Sequence, residues 1–376
     1  MTTLDQTDFV VVGGGPAGLA VAIYARLAGR TVVVLDAGSP PVDKACGEGV
    51  MPSGVASLEE MGVIVPPEGS ATFVGIRYLD PDGDNTLAEA TFPHGEGLGV
   101  RRLFLHQAMV DRAQALGADL RWKTRVTGLT DGGVTTEHGD ILGKTVVGAD
   151  GLHSRVRQWA GLQRKLEGAK RFGVRRHYTI KPWSSFVEVA WGDNAEAYVT
   201  PAGPNRVGIG ILSTEKPTRY EDLLKRFPSL QARLADAPFE SSTRGAGPFL
   251  QGAHGVVSGS VALVGDASGY MDAISGEGLS IAFHEASALV RCAAADELPK
   301  YAKEHQRITR FYRYTVSLLL VVADRPGIRK RMLYALGKSP KLFRYMLGLN
   351  DGFARPTLAM LFTLPKFAFH FLFARD

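Results

Sequence analysis

Apolar residues at the start of the chain follow a pattern that changes from strand to helix and back to strand. Residues 9–12 form a continuous apolar run, which is typical of a strand buried on both faces. Residues 16–28 predict a helix, and residues 31–35 predict a second buried strand. The order strand, helix, strand predicts an α/β unit with a parallel sheet.

The same kind of pattern returns twice along the chain. Short apolar strands are predicted at residues 145–147 and 261–264, and helices follow, the second from about Gly278. Between the first unit and these strands lies another helix, in which Leu105, Met109 and Ala113 are spaced for one buried face. These elements extend the first unit into a larger α/β domain.

Residues 171–258 instead alternate apolar and polar positions, as antiparallel strands do. Turns are predicted at residues 192–194 and 201–205, and residues 75–93 supply two more strands. Aromatic residues at strand spacing usually belong to the core of a sheet. We therefore expect two of the following five to face a ligand: Tyr178, Trp183, Phe186, Trp191 and Tyr198.

From about Pro299 the pattern is helical, and two interpretations stay open. The apolar run 316–323 is far shorter than the roughly 20 residues of a transmembrane helix. Residues 325–341 carry six Lys or Arg and no acid, and the apolar tail that follows is interrupted by Pro365, Lys366 and His370. The region either lies on a membrane surface or covers the substrate cavity and the core. No nucleic-acid motif accompanies the basic segment, so no nucleic-acid partner is predicted.

Composition changes this picture little. The chain has 376 residues, 45% of them apolar and 22% charged, as in ordinary soluble proteins, and its formal charge is +5. Two cysteines exclude a disulfide framework and favour a reducing compartment. Without an export signal, we expect a cytoplasmic protein that associates with membranes if the first interpretation of the C-terminal region holds.

The first strand–helix turn carries the clearest chemistry. Gly13, Gly15 and Gly18 form GxGxxG, in which the glycines permit a tight turn, close approach to a pyrophosphate and close helix packing. Pro16 and Ala17 open the helix, whose N-terminus favours phosphate. Asp36 ends the second strand, where a carboxylate binds a ribose hydroxyl. The sequence therefore predicts a dinucleotide site.

Two later segments resemble the second and third fingerprints of the flavoprotein monooxygenase superfamily. They are "GKTVVGADGLHSRVRQWAG" and "GSVALVGDASGYMDAISGEGLSIAFHEASALV". That superfamily also contains geranylgeranyl reductases and flavin-dependent halogenases, and the resemblance spans residues 7 to 295. It implies a p-hydroxybenzoate hydroxylase-type fold: a Rossmann-like FAD-binding domain, an inserted antiparallel substrate domain and a helical C-terminal region.

The resemblance also implies the residues of the FAD site. Asp266 would accept from ribityl hydroxyls, and the backbone of residues 276–279 would face the flavin N1/C2 oxygen. Arg102 would reach the cofactor, with Arg101 as the alternative. No metal ligands are predicted. The full set is Gly13, Gly15, Pro16, Ala17, Gly18, Asp36, Ala37, Lys44, Cys46, Gly47, Arg102, Val126, Asp150, Gly265, Asp266, Gly276, Gly278 and Leu279.

The loop "DKACGEGVMP", residues 43–52, resembles the Cys-x-Gly element of the geranylgeranyl-reductase branch. In this fold the loop approaches the flavin ring, and Gly47 and Gly49 allow a close backbone passage. Cys46 is either a proton donor or a small residue that fits the space. We expect the loop to shape the flavin pocket.

The predicted domains are discontinuous. Residues 1–70, 98–170 and 255–298 form the FAD-binding domain, residues 71–97 and 171–254 form the substrate domain, and residues 299–376 form the helical region. A second GxGxxG is missing, so NAD(P)H would reduce the flavin only as a transient visitor, unless a partner reductase does so.

The resemblance leaves several reactions open. The first is a monooxygenase that hydroxylates a hydrophobic, polyketide- or lipid-like substrate through a flavin C4a-hydroperoxide. The alternative is a reductase of prenyl double bonds. The segment "EAYVTPAG" lacks the tryptophans of tryptophan halogenases, which counts against that type. A non-catalytic flavin or lipid carrier is a further class.

Overall fold

The computed structural model describes residues 7–80, 82, 85–168, 170–215, 219–352 and 358–374. Its strands are β1 (Thr7–Val12), β2 (Val32–Asp36), β3 (Gly49–Val50), β4 (Ser70–Phe73), β5 (Gly75–Leu79), β6 (Thr86–Thr91), β7 (Gly97–Val100), β8 (Asp119–Trp122), β9 (Val126–Thr130), β10 (Gly133–Thr136), β11 (Gly139–Gly148), β12 (Gln163–Arg164), β13 (Phe172–Tyr178), β14 (Phe186–Gly192), β15 (Ala195–Gly203), β16 (Arg206–Ser213), β17 (Arg244–Ala246), β18 (Gly252–Ala253), β19 (Val257–Ser258) and β20 (Val261–Leu263). Its α-helices are α1 (Pro16–Leu27), α2 (Pro52–Met61), α3 (Arg102–Ala115), α4 (Arg155–Trp159), α5 (Tyr220–Leu224), α6 (Pro228–Leu234), α7 (Gly278–Ala294), α8 (Tyr301–Ala323), α9 (Pro326–Gly337), α10 (Pro340–Asn350) and α11 (Leu358–Leu372).

The first sheet has the order β19-β20-β11-β1-β2-β8, and β9 and β10 extend it beside β11. The pairs β8–β2, β2–β1, β1–β11 and β11–β20 are parallel. Helices α1, α3 and α7 pack together in the same core as these strands, which explains why β1 and β2 are apolar on both faces. Parallel strands place their carboxyl ends at one edge, and the three fingerprint turns meet there.

Gly18 sets how closely α1 approaches β1. A Cβ built at this position would lie 1.9 Å from the carbonyl oxygen of Gly13, so no larger residue fits without moving the turn. The role predicted for the third glycine of the motif, close helix–strand packing, is therefore visible in the structure.

The second sheet has the order β17-β13-β16-β15-β14-β5-β6. Its strands pair antiparallel as predicted, except that β14 and β5 run parallel, because β5 enters the sheet from a distant part of the chain. The strands predicted in residues 75–93 are β5 and β6. A small sheet, β3-β7-β4, joins the loop at residues 43–49 to this half of the molecule.

The C-terminal helices pack on the second sheet. Val322 of α8, Leu336 of α9 and Phe343 of α10 share a core with Ile76 and Val189 of the sheet. Helices α8 to α10 therefore take the covering position that was one of the two interpretations of this region.

Helix α11 has two different sides. Phe367 and Phe371 pack against the core of α9 and α10, whereas Phe369, Leu372 and Phe373 are exposed. Among the described residues, no helix is both long and apolar enough to cross a bilayer.

Candidate active site

A cavity of about 790 Å³ runs from the edge of the parallel sheet to the space between the second sheet and helices α8 to α10. One end, the cofactor cleft, is lined by the fingerprint turns. The other end, the apolar chamber, is lined by side chains such as Ile76, Val187, Leu319, Met332, Leu336 and Phe343. The fold thus joins a polar cleft to an apolar space.

Most of the predicted cofactor residues meet in this cavity. Those that line it are Gly13, Gly15, Pro16, Ala17, Asp36, Lys44, Cys46, Gly47, Arg102, Asp150, Gly265, Asp266, Gly276, Gly278 and Leu279. Gly18, Ala37 and Val126 do not line it. Gly18 acts through packing, Ala37 is exposed just beyond β2, and Val126 is buried in the core as the first residue of β9.

The glycine turn is held open by Asp36 and His106. The Asp36 carboxylate accepts from the backbone N–H groups of Gly14 and Gly38, both at 2.7 Å. His106 Nε2 lies 2.8 Å from the Gly14 carbonyl oxygen, which can only accept, so this nitrogen carries a proton. Burial lowers the pKa of His106 and keeps the ring neutral. The carboxylate retains acceptor capacity for a ribose hydroxyl.

His106 was missed by sequence reasoning. It lies four residues after Arg102 on α3, so the two side chains share a helix face, and that spacing was the available signal.

Arg102 and Arg101 have different surroundings. Arg102 lines the cavity, and its buried Nε and Nη1 atoms have no hydrogen-bond partner. Arg101 forms an ion pair with Glu240 at 2.7 Å. Buried donors without partners are costly, which indicates that an anionic group belongs beside Arg102.

Open space above two glycines supports the same conclusion. A Cβ at Gly15 or Gly47 would meet nothing within 4 Å, although both glycines line the cavity. Lys44 reaches over Gly151, since a Cβ at Gly151 would lie 2.7 Å from the lysine Nζ. The cleft thus offers backbone access and cations where a dinucleotide phosphate would lie.

Two predicted acids differ in their roles. The Asp150 carboxylate caps α4, accepting from Ser154 Oγ at 2.5 Å and from the N–H of Arg155 at 2.7 Å. Because the carboxylate is occupied in this way, mainly the backbone of Asp150 is available to a ligand in the cleft. Burial raises the pKa of Asp266, opposed by the charges of Lys44 and Arg102. Asp266 therefore faces the cavity as the freer of the two acceptors.

Arg157 ties the second and third fingerprints together. Its guanidinium is buried and donates to the carbonyl oxygens of Leu152 at 3.0 Å and Ala267 at 3.1 Å. It also donates to Gln163 Oε1 at 2.7 Å. The two turns that form one wall of the cleft are thus fixed to each other.

The N-terminus of α7 forms the far end of the cleft. Gly276 has φ of 71°, in the left-handed region that favours glycine, and its turn leads into the helix. Within the described residues no side chain caps this helix start, so its first amides are free for a ligand. This arrangement suits the negative charge that reduced flavin develops.

The loop at residues 43–49 is anchored to the second sheet. Arg175 donates to Asp43 Oδ1 at 2.5 Å and to the Lys44 carbonyl oxygen at 3.1 Å. Thr200 Oγ1 donates to the Gly47 carbonyl oxygen at 3.0 Å. These bonds hold the loop across the cavity.

Glu48 is the main anchor of this loop and was not predicted as a site residue. It is 1% exposed and has φ of 62°, which is unusual for a residue other than glycine. Its carboxylate hydrogen-bonds His177 Nε2 and accepts from the N–H of Arg102 at 3.1 Å. Its position between two glycines was the only sequence signal, because His177 lies 129 residues away.

Cys46 lies beside this anchor and lines the cavity, half-buried. Its Sγ accepts from the backbone N–H of Glu48 at 3.3 Å. The thiol is therefore positioned by the turn of the loop, in agreement with the expectation that the loop shapes the pocket.

Among the five aromatics of the substrate sheet, only Tyr198 lines the cavity within the described residues. Trp191 is buried in the core beside Tyr78, and Tyr178 packs in the core shared with α5 and α6. The expectation that two of the five aromatic residues face the ligand is therefore wrong, since one of them lines the cavity. The alternation along a strand does not by itself show which face of the sheet each residue takes.

A family model described as "FAD binding domain" matches residues 6–297, well over half of the chain. The chain belongs to this FAD-binding family. It is an FAD-dependent oxidoreductase, which confirms the predicted cofactor and fold, and the residues of the cleft fit the cofactor. Which electron donor reduces it stays a prediction.

Two curated proteins to which this chain is similar are named as reductases. The chain is 31% identical over 298 residues to digeranylgeranylglycerophospholipid reductase 1 of Methanothermobacter thermautotrophicus, covering 73% of each chain. It is 29% identical over 307 residues to menaquinone reductase of Mycobacterium tuberculosis, covering 74% of each.

The fold also matches a monooxygenase. The structure of p-nitrophenol 4-monooxygenase from Pseudomonas putida aligns with a TM-score of 0.77 and 21% identity, over 94% of this chain and 99% of that one. This likeness is one of fold.

Proposed function

We propose that the protein is an FAD-dependent reductase that saturates a carbon–carbon double bond in an apolar, lipid-class substrate. The observation that carries the proposal is the junction of the cavity, where the cofactor cleft opens into the apolar chamber; Cys46 and Glu277 both line this cavity. Saturation needs a hydride and a proton, and both side chains are of a type that can hold the proton.

The chamber favours a chain-like substrate. Its walls are aliphatic and aromatic side chains from β5, β14, α8, α9 and α10. Each buried methylene of a ligand is worth about 0.8 kcal/mol, so an isoprenoid or acyl chain gains affinity in proportion to its length. The substrates named for the two relatives are of this class, which supports the proposal.

FAD, when bound, would supply the hydride. The chain's own residues bind and orient the cofactor: Arg102 and Lys44 face its anionic part, and the first amides of α7 stabilise charge on the reduced ring. The apolar walls exclude water from the junction.

Glu277 is suited to hold the proton. It is 4% exposed, it precedes α7, and no described lysine or arginine forms an ion pair with it. Burial raises its pKa well above the ordinary range, and the carboxylate of Asp351 raises it further, while a hydrogen bond with Asn350 opposes the shift. Burial and the nearby Asp351 carboxylate thus both favour the protonated form of Glu277.

The neighbouring acid, Asp351, has hydrogen bonds that stabilise its charged form. It accepts from Ser53 Oγ at 2.6 Å and from the Ser53 N–H at 3.1 Å, and burial raises its pKa to about 6. Of the two neighbouring acids, Asp351 ionises first, because Ser53 stabilises its charge. Between the two acids, a proton is therefore favoured on Glu277.

The monooxygenase reaction, the first choice from sequence, would use the same cleft. The named relatives shift our proposal to the reductase, since the likeness to a monooxygenase is one of fold. The two reactions differ in what the product gains: two hydrogens, or one oxygen atom.

The test uses the holoprotein with chemically reduced flavin and two probes, digeranylgeranylglycerophospholipid and a menaquinone. Without oxygen, we expect a product heavier by two hydrogens in the mass spectrum, and for the menaquinone this gain should persist after the ring is re-oxidised from quinol to quinone. A product that forms only with labelled molecular oxygen and carries the label would establish hydroxylation instead. Chemical reduction makes the result independent of NAD(P)H.

A further inference from the structure

The outer face of α8 carries an apolar stripe. Tyr314, Leu318 and Val321 are 70%, 50% and 43% exposed. Their spacing of four and three residues places them on one face of the helix. The opposite face is buried through Tyr312 and Val316. Large apolar side chains are thus presented to solvent in a row, which marks an interaction surface.

This stripe lies at the mouth of the cavity. Leu318 is half-exposed and also lines the cavity, so the inside of the chamber and the outer surface meet at this side chain. Leu319 and Thr315 beside it line the chamber as well. We call Tyr314, Leu318 and Val321 the portal surface.

Cations border the portal surface. Arg310 and Arg313 are exposed on the preceding turns of α8, and Arg325 and Lys330 are exposed just after the helix. None of these four forms an ion pair with a carboxylate in the described part of the chain. One exposed acid, Asp324, lies between them, so the border is strongly cationic on balance.

We propose that the portal surface rests on an anionic phospholipid bilayer and that lipid substrates pass from the bilayer into the chamber beside Leu318. An apolar stripe bordered by Arg and Lys fits the boundary between acyl chains and anionic headgroups, where tyrosine is also favoured. The guanidinium groups bind headgroup phosphates. This membrane proposal rests on the proposed function in one respect, the identity of the molecule that enters the chamber.

The surface predicted by sequence for membrane contact was the basic segment and the tail. The portal surface moves this contact to α8, because in the described part of the chain a large exposed apolar side chain lines the cavity only there, at Leu318. Exposed Phe369 on α11 and Phe373 just after that helix do not line the cavity.

The test is flotation of the FAD-loaded full-length protein with vesicles of phosphatidylcholine, with and without phosphatidylglycerol. Wild-type protein should bind the anionic vesicles more strongly, and binding should weaken as salt rises. Val321→Glu should abolish most of the binding. Arg310→Gln with Arg313→Gln should weaken it by roughly fivefold for each cation removed.

The matched control is Ile64→Glu, since Ile64 is 86% exposed in the segment after α2 and does not line the cavity. This variant should bind vesicles as wild type does. Val321 does not line the cavity, so Val321→Glu should keep its turnover with detergent-dispersed substrate. Loss of vesicle binding with preserved turnover separates docking from catalysis.

Three results would overturn the proposal. Binding that ignores lipid charge and salt would remove the electrostatic argument. Equal binding by Val321→Glu and wild type would place any membrane contact elsewhere. A concentration-dependent dimer that Val321→Glu dissociates, without vesicle binding, would assign the surface to a second copy of the chain.

Discussion

Arg102 and Arg101 are adjacent arginines with opposite surroundings, and this contrast gives a sharp prediction. Arg102 has two buried nitrogens without partners, Nε and Nη1, whereas Arg101 has one, Nε, and is paired with Glu240 through Nη1. Replacing Arg102 with Met keeps the length of the side chain and removes the donors. We expect weak FAD binding from Arg102→Met and nearly normal binding from Arg101→Met.

The magnitude follows from the two donors. A hydrogen bond to a charged group is worth about 1.5–3 kcal/mol, and two such bonds at the low end give about 3 kcal/mol. This corresponds to roughly a hundredfold increase in the Kd for FAD. Without cofactor the same donors are unpaired, so Arg102→Met should leave the free energy of unfolding of the apoprotein unchanged or raised.

The assay is titration of apoprotein with FAD by flavin fluorescence, beside thermal unfolding of both apoproteins. Arg101→Met removes the ion pair with Glu240 and leaves Arg206 as the remaining arginine beside that carboxylate. This variant should therefore lower the Tm of the apoprotein. A large loss of FAD affinity from Arg101→Met, with none from Arg102→Met, would refute the assignment.

The junction gives three further predictions. Glu277→Gln keeps the shape of the side chain and removes its acidic proton. Turnover with reduced flavin should fall about 10²–10⁴-fold, whereas the affinity for FAD should not change. The infrared carbonyl band of a buried protonated acid should also disappear at neutral pH. The control Glu188→Gln, a carboxylate paired with Arg77 at 3.2 Å, should keep that band, and a Glu277→Gln variant with unchanged turnover would exclude the proton role. Cys46→Ala and Cys46→Ser should both keep FAD and lose less than about tenfold in turnover if the thiol only packs; a thousandfold loss in the Ala variant with full FAD occupancy would make Cys46 the acid. In the folded state the pKa of Asp351 is raised from 3.8 to about 6, so between these pH values the folded state holds more protons than the unfolded state. The free energy of unfolding should therefore fall as pH rises from about 4 to 6, and Asp351→Asn should remove about 2–3 kcal/mol of this fall in denaturant unfolding across that range. An unchanged pH dependence would contradict the assigned pKa.

The sequence allowed the cofactor half to be predicted because its signals are local. Gly13, Gly15 and Gly18 act within one turn, and Asp36 follows at a fixed distance along the same βαβ unit. Burial on both faces likewise makes β1 and β2 visible as apolar runs.

The junction could not be predicted, because its partners are far apart in sequence. Glu48 meets His177, and Ser53 meets Asp351 across 298 residues, so neither pair has a local pattern. Helices α8 to α10 were visible as helices, but only their packing on the second sheet makes them the wall of the chamber. The parallel pairing of β14 with β5 is also a property of tertiary structure.

The anchors of the loop at residues 43–49 have a consequence for how this protein can evolve. Arg175, His177 and Thr200 belong to the second sheet, yet they hold the loop that lines the cofactor cleft. A substitution selected for a new substrate on β13 or β15 therefore also shifts Cys46 and Glu48. Grafting the sheet of a relative onto this FAD-binding half would remove these anchors together, so substrate preference and flavin chemistry are inherited as one unit.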